Sequence, residues 1–157
     1  MKNYAFIDAQ NTHLGIKYLG WSLDWKKFRV YLKEKYTVEN AYLFMGYMPS
    51  NQGLYARLQE WGYIIIFKPL IFDADGKVKG NCDADLVLHT ILMIDEYDKA
   101  IIVTSDGDFY SLVKHLYEKE KLKMVLSPHI KNCSKLLKKE AKEKIIYMDN
   151  LNKKVGK

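Results

Sequence analysis

Apolar residues arrive along this chain in short runs separated by polar turns, and two periodicities alternate. Tyr4-Ala5-Phe6-Ile7, Ala41-Tyr42-Leu43-Phe44-Met45, Tyr63-Ile64-Ile65-Ile66-Phe67, Ala100-Ile101-Ile102-Val103 and Lys123-Met124-Val125-Leu126 are near-continuous apolar runs and read as buried strands. Ile145-Ile146-Tyr147 reads as a last one. Between the runs, apolar positions recur at helical spacing. Trp25, Phe28 and Leu32 follow Asp24, a good cap residue, while Leu54, Leu58 and Trp61 follow Pro49-Ser50 and stop at Gly62. Ala84, Leu88, Ile91, Leu92 and Ile94 make a third set; Phe109, Leu112, Val113, Leu116 and Tyr117 keep the i, i+3, i+4, i+7, i+8 pattern; a lysine-rich helix surrounds Leu136 and Leu137. Residues 70–80 read as a hairpin turning at Asp75-Gly76, and residues 150–157 as a frayed basic tail.

Strands that alternate with helices, and are apolar throughout, predict an α/β domain. Its sheet is mostly parallel and doubly wound, with helices on both faces. Ligands bind such sheets beyond the carboxyl ends of the strands, where the strand order reverses. Three acidic features fall on that edge. Asp8 follows the first strand directly, Asp106 and Asp108 follow the strand ending at Val103, and Asp83 and Asp85 open the helix that leads back to it. A crossover helix runs opposite to the strands it joins, so its first turn lies at the same edge. If the strand before Asp8 lies beside the strand before Asp106, these acids surround one crevice. Clustered carboxylates repel unless a cation offsets them, and hard oxygen donors suit Mg²⁺ or Mn²⁺.

Composition narrows the partners. The 157 residues are 48% hydrophobic and 28% charged, an ordinary globular balance, with net charge +6 and pI about 9.1. A basic chain favours an anionic partner such as nucleic acid, although a solvated basic surface gives the same sum. Cys82 and Cys133 form no C-x-x-C and have no histidine cluster, so neither a zinc site nor a disulfide framework is expected. No apolar run reaches the roughly 18 residues of a membrane span. Met1-Lys2-Asn3-Tyr4 leads straight into a strand-like segment, so a cytoplasmic protein without a signal peptide is expected. The glycines form neither a P-loop nor a G-x-G-x-x-G, and no Ser/His/Asp or Cys/His set competes as a nucleophilic site.

Three blocks then carry a resemblance. Phe6-Ile7-Asp8-Ala9-Gln10-Asn11, Lys79-Gly80-Asn81-Cys82-Asp83 and Thr104-Ser105-Asp106-Gly107-Asp108-Phe109 stand in the order of the NYN family. This is a branch of the PIN-like nuclease superfamily, and the likeness is to its LabA-like bacterial proteins. The resemblance implies a single PIN-like, Rossmannoid domain over residues 1–149 and metal-dependent cleavage of single-stranded RNA. Asp8, Asp83, Asp106 and Asp108 would hold Mg²⁺ or Mn²⁺. Asn11 would orient water or phosphate, Ser105 would support Asn11, and Lys79 and Gly80 would seat the substrate backbone. One departure stands out: His89 occupies the place where many members carry a further acid, with Asp85 as a substitute.

Plainer roles compete at each position. Asp8 could satisfy backbone N–H groups at the strand end, Asn11 or Asp108 could cap a helix, Asp83 could complement a helix dipole, and Asp106-Gly107 could be turn chemistry. Their joint placement on one edge favours a site. The alternatives to a ribonuclease are a non-catalytic RNA-binding module and a protein-interaction domain with a degenerate site. Self-association is left open. The aromatic residues read mainly as core, and the lysines from Lys131 to Lys144 either track phosphates or form a solvated face.

Overall fold

The computed structural model describes residues 1–69, 71–76, 78–79 and 82–157. Along the chain run β1 (Asn3–Asp8), α1 (Ala9–Tyr18), α2 (Trp25–Tyr36), β2 (Val38–Tyr47), α3 (Gln52–Glu60) and β3 (Tyr63–Pro69). There follow β4 (Ile71–Phe72), β5 (Val78–Lys79), α4 (Asp83–Leu92), β6 (Ala100–Val103), α5 (Tyr110–Glu118), β7 (Leu122–Ser127), α6 (Lys135–Ala141), β8 (Ile145–Tyr147) and α7 (Asn152–Val155). Six strands form one parallel sheet in the order β3-β2-β1-β6-β7-β8. The expected doubly wound α/β class is therefore the observed one. Strand order reverses between β1 and β6, where Tyr4 to Ile7 pair with Ala100 to Val103.

Alternation along the central strands divides the core between the faces. Ala5 and Ile7 of β1 pack with Ile16, Phe28, Leu32, Leu58 and Val155, from α1, α2, α3 and α7. Tyr4 and Phe6 pack on the other face with Leu86, Leu112, Val113, Leu116 and Leu137, from α4, α5 and α6. Phe6 is fully buried and stacks on Tyr42, with ring centroids 5.5 Å apart. Most of the aromatic residues are thus core, as their spacing suggests. No helix among the described residues is long and apolar enough to cross a membrane.

Two segments differ from the sequence expectation. Residues 9–18 form α1, which the apolar pattern does not reveal. The helix buries only Ala9, Thr12 and Ile16, and its start is fixed by Asp8, whose carboxylate accepts from the Asn11 N–H at 3.5 Å. Asp8, not Asn11, is the cap. The tail expected to fray is instead docked. Val155 is fully buried, its carbonyl accepts from Asp24 N at 2.8 Å, and Gly156 bridges Leu23. One apolar residue in a lysine-rich stretch supplies the burial that holds it. Within the expected hairpin, β4 and β5 pair antiparallel, with Gly76 at φ +77° and its N–H donating to Asp73. Gly62 likewise ends α3, at φ +101°.

Candidate metal centre

Each acid reaches the carboxyl edge by a different local device. Asp8 ends β1 and caps α1, so its carboxylate is held between the strand end and the helix start. Asp106 leaves β6 after two residues and caps a 3₁₀ turn, accepting from Asp108 N at 2.9 Å. Asp83 is the first residue of α4, whose amino end returns to the same edge. One carboxylate oxygen from each of Asp8, Asp83 and Asp106 lies within 4.8 Å of the others. All three residues are half-buried, and all three line an open cleft of about 350 Å³.

Thr104 ties this group together. Its fully buried hydroxyl lies 3.3 Å from Asp8 Oδ2 and 3.4 Å from Asn11 Oδ1, and it accepts from Asp106 N at 3.1 Å. Asn11 Oδ1 also accepts from Ser105 N at 2.9 Å. The amide's acceptor is thereby engaged with the β6 loop, which leaves Nδ2 as its donor side in the cleft that Asn11 lines. The sequence pattern assigns Thr104 no role. Only its position directly after β6 hints at one. Thr104→Val keeps the volume and strands the half-buried Asp106 N–H. We expect a loss of about 1–3 kcal/mol in stability, read from denaturant unfolding.

The electrostatics favour a cation. Burial first, then the Asp83 carboxylate, with a smaller contribution from Asp106, push Asp8 up to about 6 despite its hydrogen bonds from Asn11 and Thr104. A divalent ion would reverse that cost. The donors fit a hard ion, since all are carboxylate oxygens. Cys82 lines the cleft too, but burial and then Asp85 push its thiol up to about 11, so near neutrality it adds no thiolate.

Other expected site residues are placed differently. Asp108 is exposed and lies outside the three-acid group, and its N–H donates to the Asp106 carboxylate. It stands inside the 3₁₀ turn that Asp106 caps, two residues beyond that acid. Asp85 lies outside the group as well. The Ser105 hydroxyl is 2.9 Å from Ser127 Oγ, inside the sheet, so Ser105 supports Asn11 through its backbone N–H alone. His89 packs against Phe44, ring centroids 5.6 Å apart, behind a residue that lines the cleft. Lys79 pairs with Ile71 in the hairpin ladder, and Gly80 lies outside the described residues. Gln10, Leu14, Met45 and Gly46 also line the cleft, none of them singled out by sequence.

Comparison with known proteins agrees with this architecture. A crystal structure of a protein of unknown function from Vibrio parahaemolyticus has the same fold, with a TM-score of 0.80 and 22% identity, covering 99% of this chain and 96% of that one. The low amplitude and bright protein LabA of Synechococcus elongatus is 26% identical over 125 residues, spanning 73% of this chain and 67% of LabA. The NYN domain family model matches residues 3–149, and the chain belongs to that family.

Proposed function

We propose that this protein is a metal-dependent ribonuclease that hydrolyses phosphodiester bonds of single-stranded RNA in the cytoplasm. The observation that carries the reading is the convergence of Asp8, Asp83 and Asp106 within 4.8 Å at the reversal point of the sheet. The family supports it, because the NYN resemblance implies that chemistry. The net charge of +6 suits a polyanion.

Asp8, Asp83 and Asp106 would hold Mg²⁺ or Mn²⁺, which when bound supplies Lewis-acid polarisation of the phosphodiester and lowers the pKa of water. Asn11 offers an N–H donor to a phosphate oxygen, with its orientation set by Ser105 N and Thr104. Asp108 acts through Asp106 by bracing the turn. Lys79 and Gly80 remain substrate contacts on the strength of their motif.

The test is incubation of wild-type and Asp106→Asn protein with labelled single-stranded RNA in Mg²⁺, Mn²⁺ or EDTA. Cleavage by the wild type in either metal, abolished by EDTA and lowered about 100-fold or more by the substitution, is the expected result. A second reading, an RNA-binding module without catalysis, is favoured by His89 standing behind Phe44 in place of a further acid. It predicts salt-dependent RNA binding with no cleavage in either metal.

A further inference from the structure

A second cavity, of about 630 Å³, adjoins the acidic cleft. That size falls within the roughly 300–1,000 Å³ of ordinary ligand pockets. The two spaces share Gln10, Met45 and Gly46, so they meet along the start of α1 and the carboxyl end of β2. We propose that this cavity seats one nucleobase of the RNA strand whose neighbouring phosphate lies at the three acids. The inference deepens the ribonuclease reading and rests on it.

The lining has the composition a base requires. Trp25, Met48, Leu54 and Leu58 supply apolar wall, while Gln10, His13 and Asn51 supply hydrogen-bonding groups for a base edge. The acids of the neighbouring cleft have no counterpart here: among the described residues no Asp or Glu lines the cavity, and Lys157 is its one lysine. A strand carrying negative charge therefore meets no Asp or Glu among the described residues of the cavity wall. Trp25 is already fixed as a platform. Its ring meets Phe28 edge-on at 6.0 Å and Tyr63 at 5.8 Å, and its carbonyl accepts from the Tyr63 hydroxyl at 2.6 Å. Stacking on a ring so braced orders nothing new, and a π-face accepts any base. The shared wall keeps the distance from acids to cavity short, so adjacent groups of one strand can occupy both.

The experiment follows the indole N–H resonances of Trp21, Trp25 and Trp61, assigned with Trp21→Phe and Trp61→Phe, during titration in EDTA. Adenosine and uridine 5′-monophosphates are compared with ribose 5-phosphate. At least one nucleotide should shift the Trp25 signal, and ribose 5-phosphate should not. Met48→Glu, at an exposed position on the cavity wall, should weaken the nucleotide about tenfold while Mn²⁺ binds the acids as in wild type. If Met48→Glu does not fold, Asn51→Ala replaces it with the same expectation. Silence of Trp25 at millimolar nucleotide overturns the proposal. An equal response to ribose 5-phosphate, or one that follows protein concentration alone, as a contact between copies would, overturns it too. The readout needs no cleavage. A Trp25 response in a protein that cuts no RNA keeps the base site and removes the nuclease, whereas RNA cleavage beside a silent Trp25 does the reverse.

Discussion

Asp8→Asn should make the metal-free protein more stable at pH 7.5 while abolishing cleavage. Asp8 is raised from 3.8 to about 6 in the folded chain, by burial and by its neighbouring carboxylates. A carboxyl with a raised folded pKa contributes stability that is full below about pH 4 and is lost as pH climbs through about 6. Wild-type protein in EDTA therefore gives up about 3 kcal/mol across that window. Asparagine carries no charge to bury and caps a helix as well as aspartate does, so the variant loses nothing there. In EDTA at pH 7.5 the variant should melt about 6–12 °C above wild type, and near pH 4 the two should coincide. Millimolar Mg²⁺ or Mn²⁺ should raise wild type and leave the variant where it was. Calorimetry from pH 4 to 8 measures all three. A variant less stable than wild type at pH 7.5, or a gap that persists at pH 4, would remove the strain assigned to Asp8.

Gly107→Ala should cost about 1–3 kcal/mol and lower cleavage as well. The glycine has an ordinary φ, and the need for it is one of space. A β-carbon there would meet Ser134 Oγ, and Ser134 Cβ at 2.8 Å. Neither side can retreat. Ser134 caps α6, its N–H donates to Ser105 O at 3.1 Å, and its hydroxyl accepts from Leu136 N at 3.2 Å. On the other side the turn is fixed by the Asp106 carboxylate on Asp108 N. A displaced turn moves that carboxylate, which is why activity should fall along with stability. Ser134→Gly alone should cost only a few tenths of a kcal/mol, since glycine is a tolerable cap. Combined with Gly107→Ala it should restore most of the loss, because nothing other than Ser134 lies within 4 Å of the added carbon. Urea unfolding of the four proteins gives the coupling directly. Additive losses would mean that the contact does not govern the turn.

The strands and most helices were legible because their residues carry the burial themselves. Tyr63 to Phe67 or Phe109 to Leu116 leave little choice of periodicity. The placement of the acids on one edge was legible from strand direction, whereas their meeting in one crevice waited on β1 lying beside β6. Four things were not legible. Helix α1 is stabilised by its cap and by the strand it leaves, and its own sequence shows almost no apolar stripe. Residues 152–155 are held by a single buried valine among lysines, a signal too small for any window. Within the motif, Asp106 and Asp108 look alike in sequence, yet a two-residue step around a tight turn sends one inward and the other to solvent. Thr104 organises Asp8, Asn11 and Asp106, but a threonine after a strand has no pattern that distinguishes such a post from an ordinary one.

The reversal of strand order has a consequence for how the protein comes into being. β1 lies between β2, made soon after it, and β6, made some ninety residues later. The first half of the chain can assemble β1, β2 and β3, yet it holds only one of the three acids. Asp83 and Asp106 come with the second half, and the group closes only when β6 zips onto β1. A chain still emerging from the ribosome therefore has no complete site, so an enzyme that cuts RNA would stay harmless to its own messenger until β6 is in place.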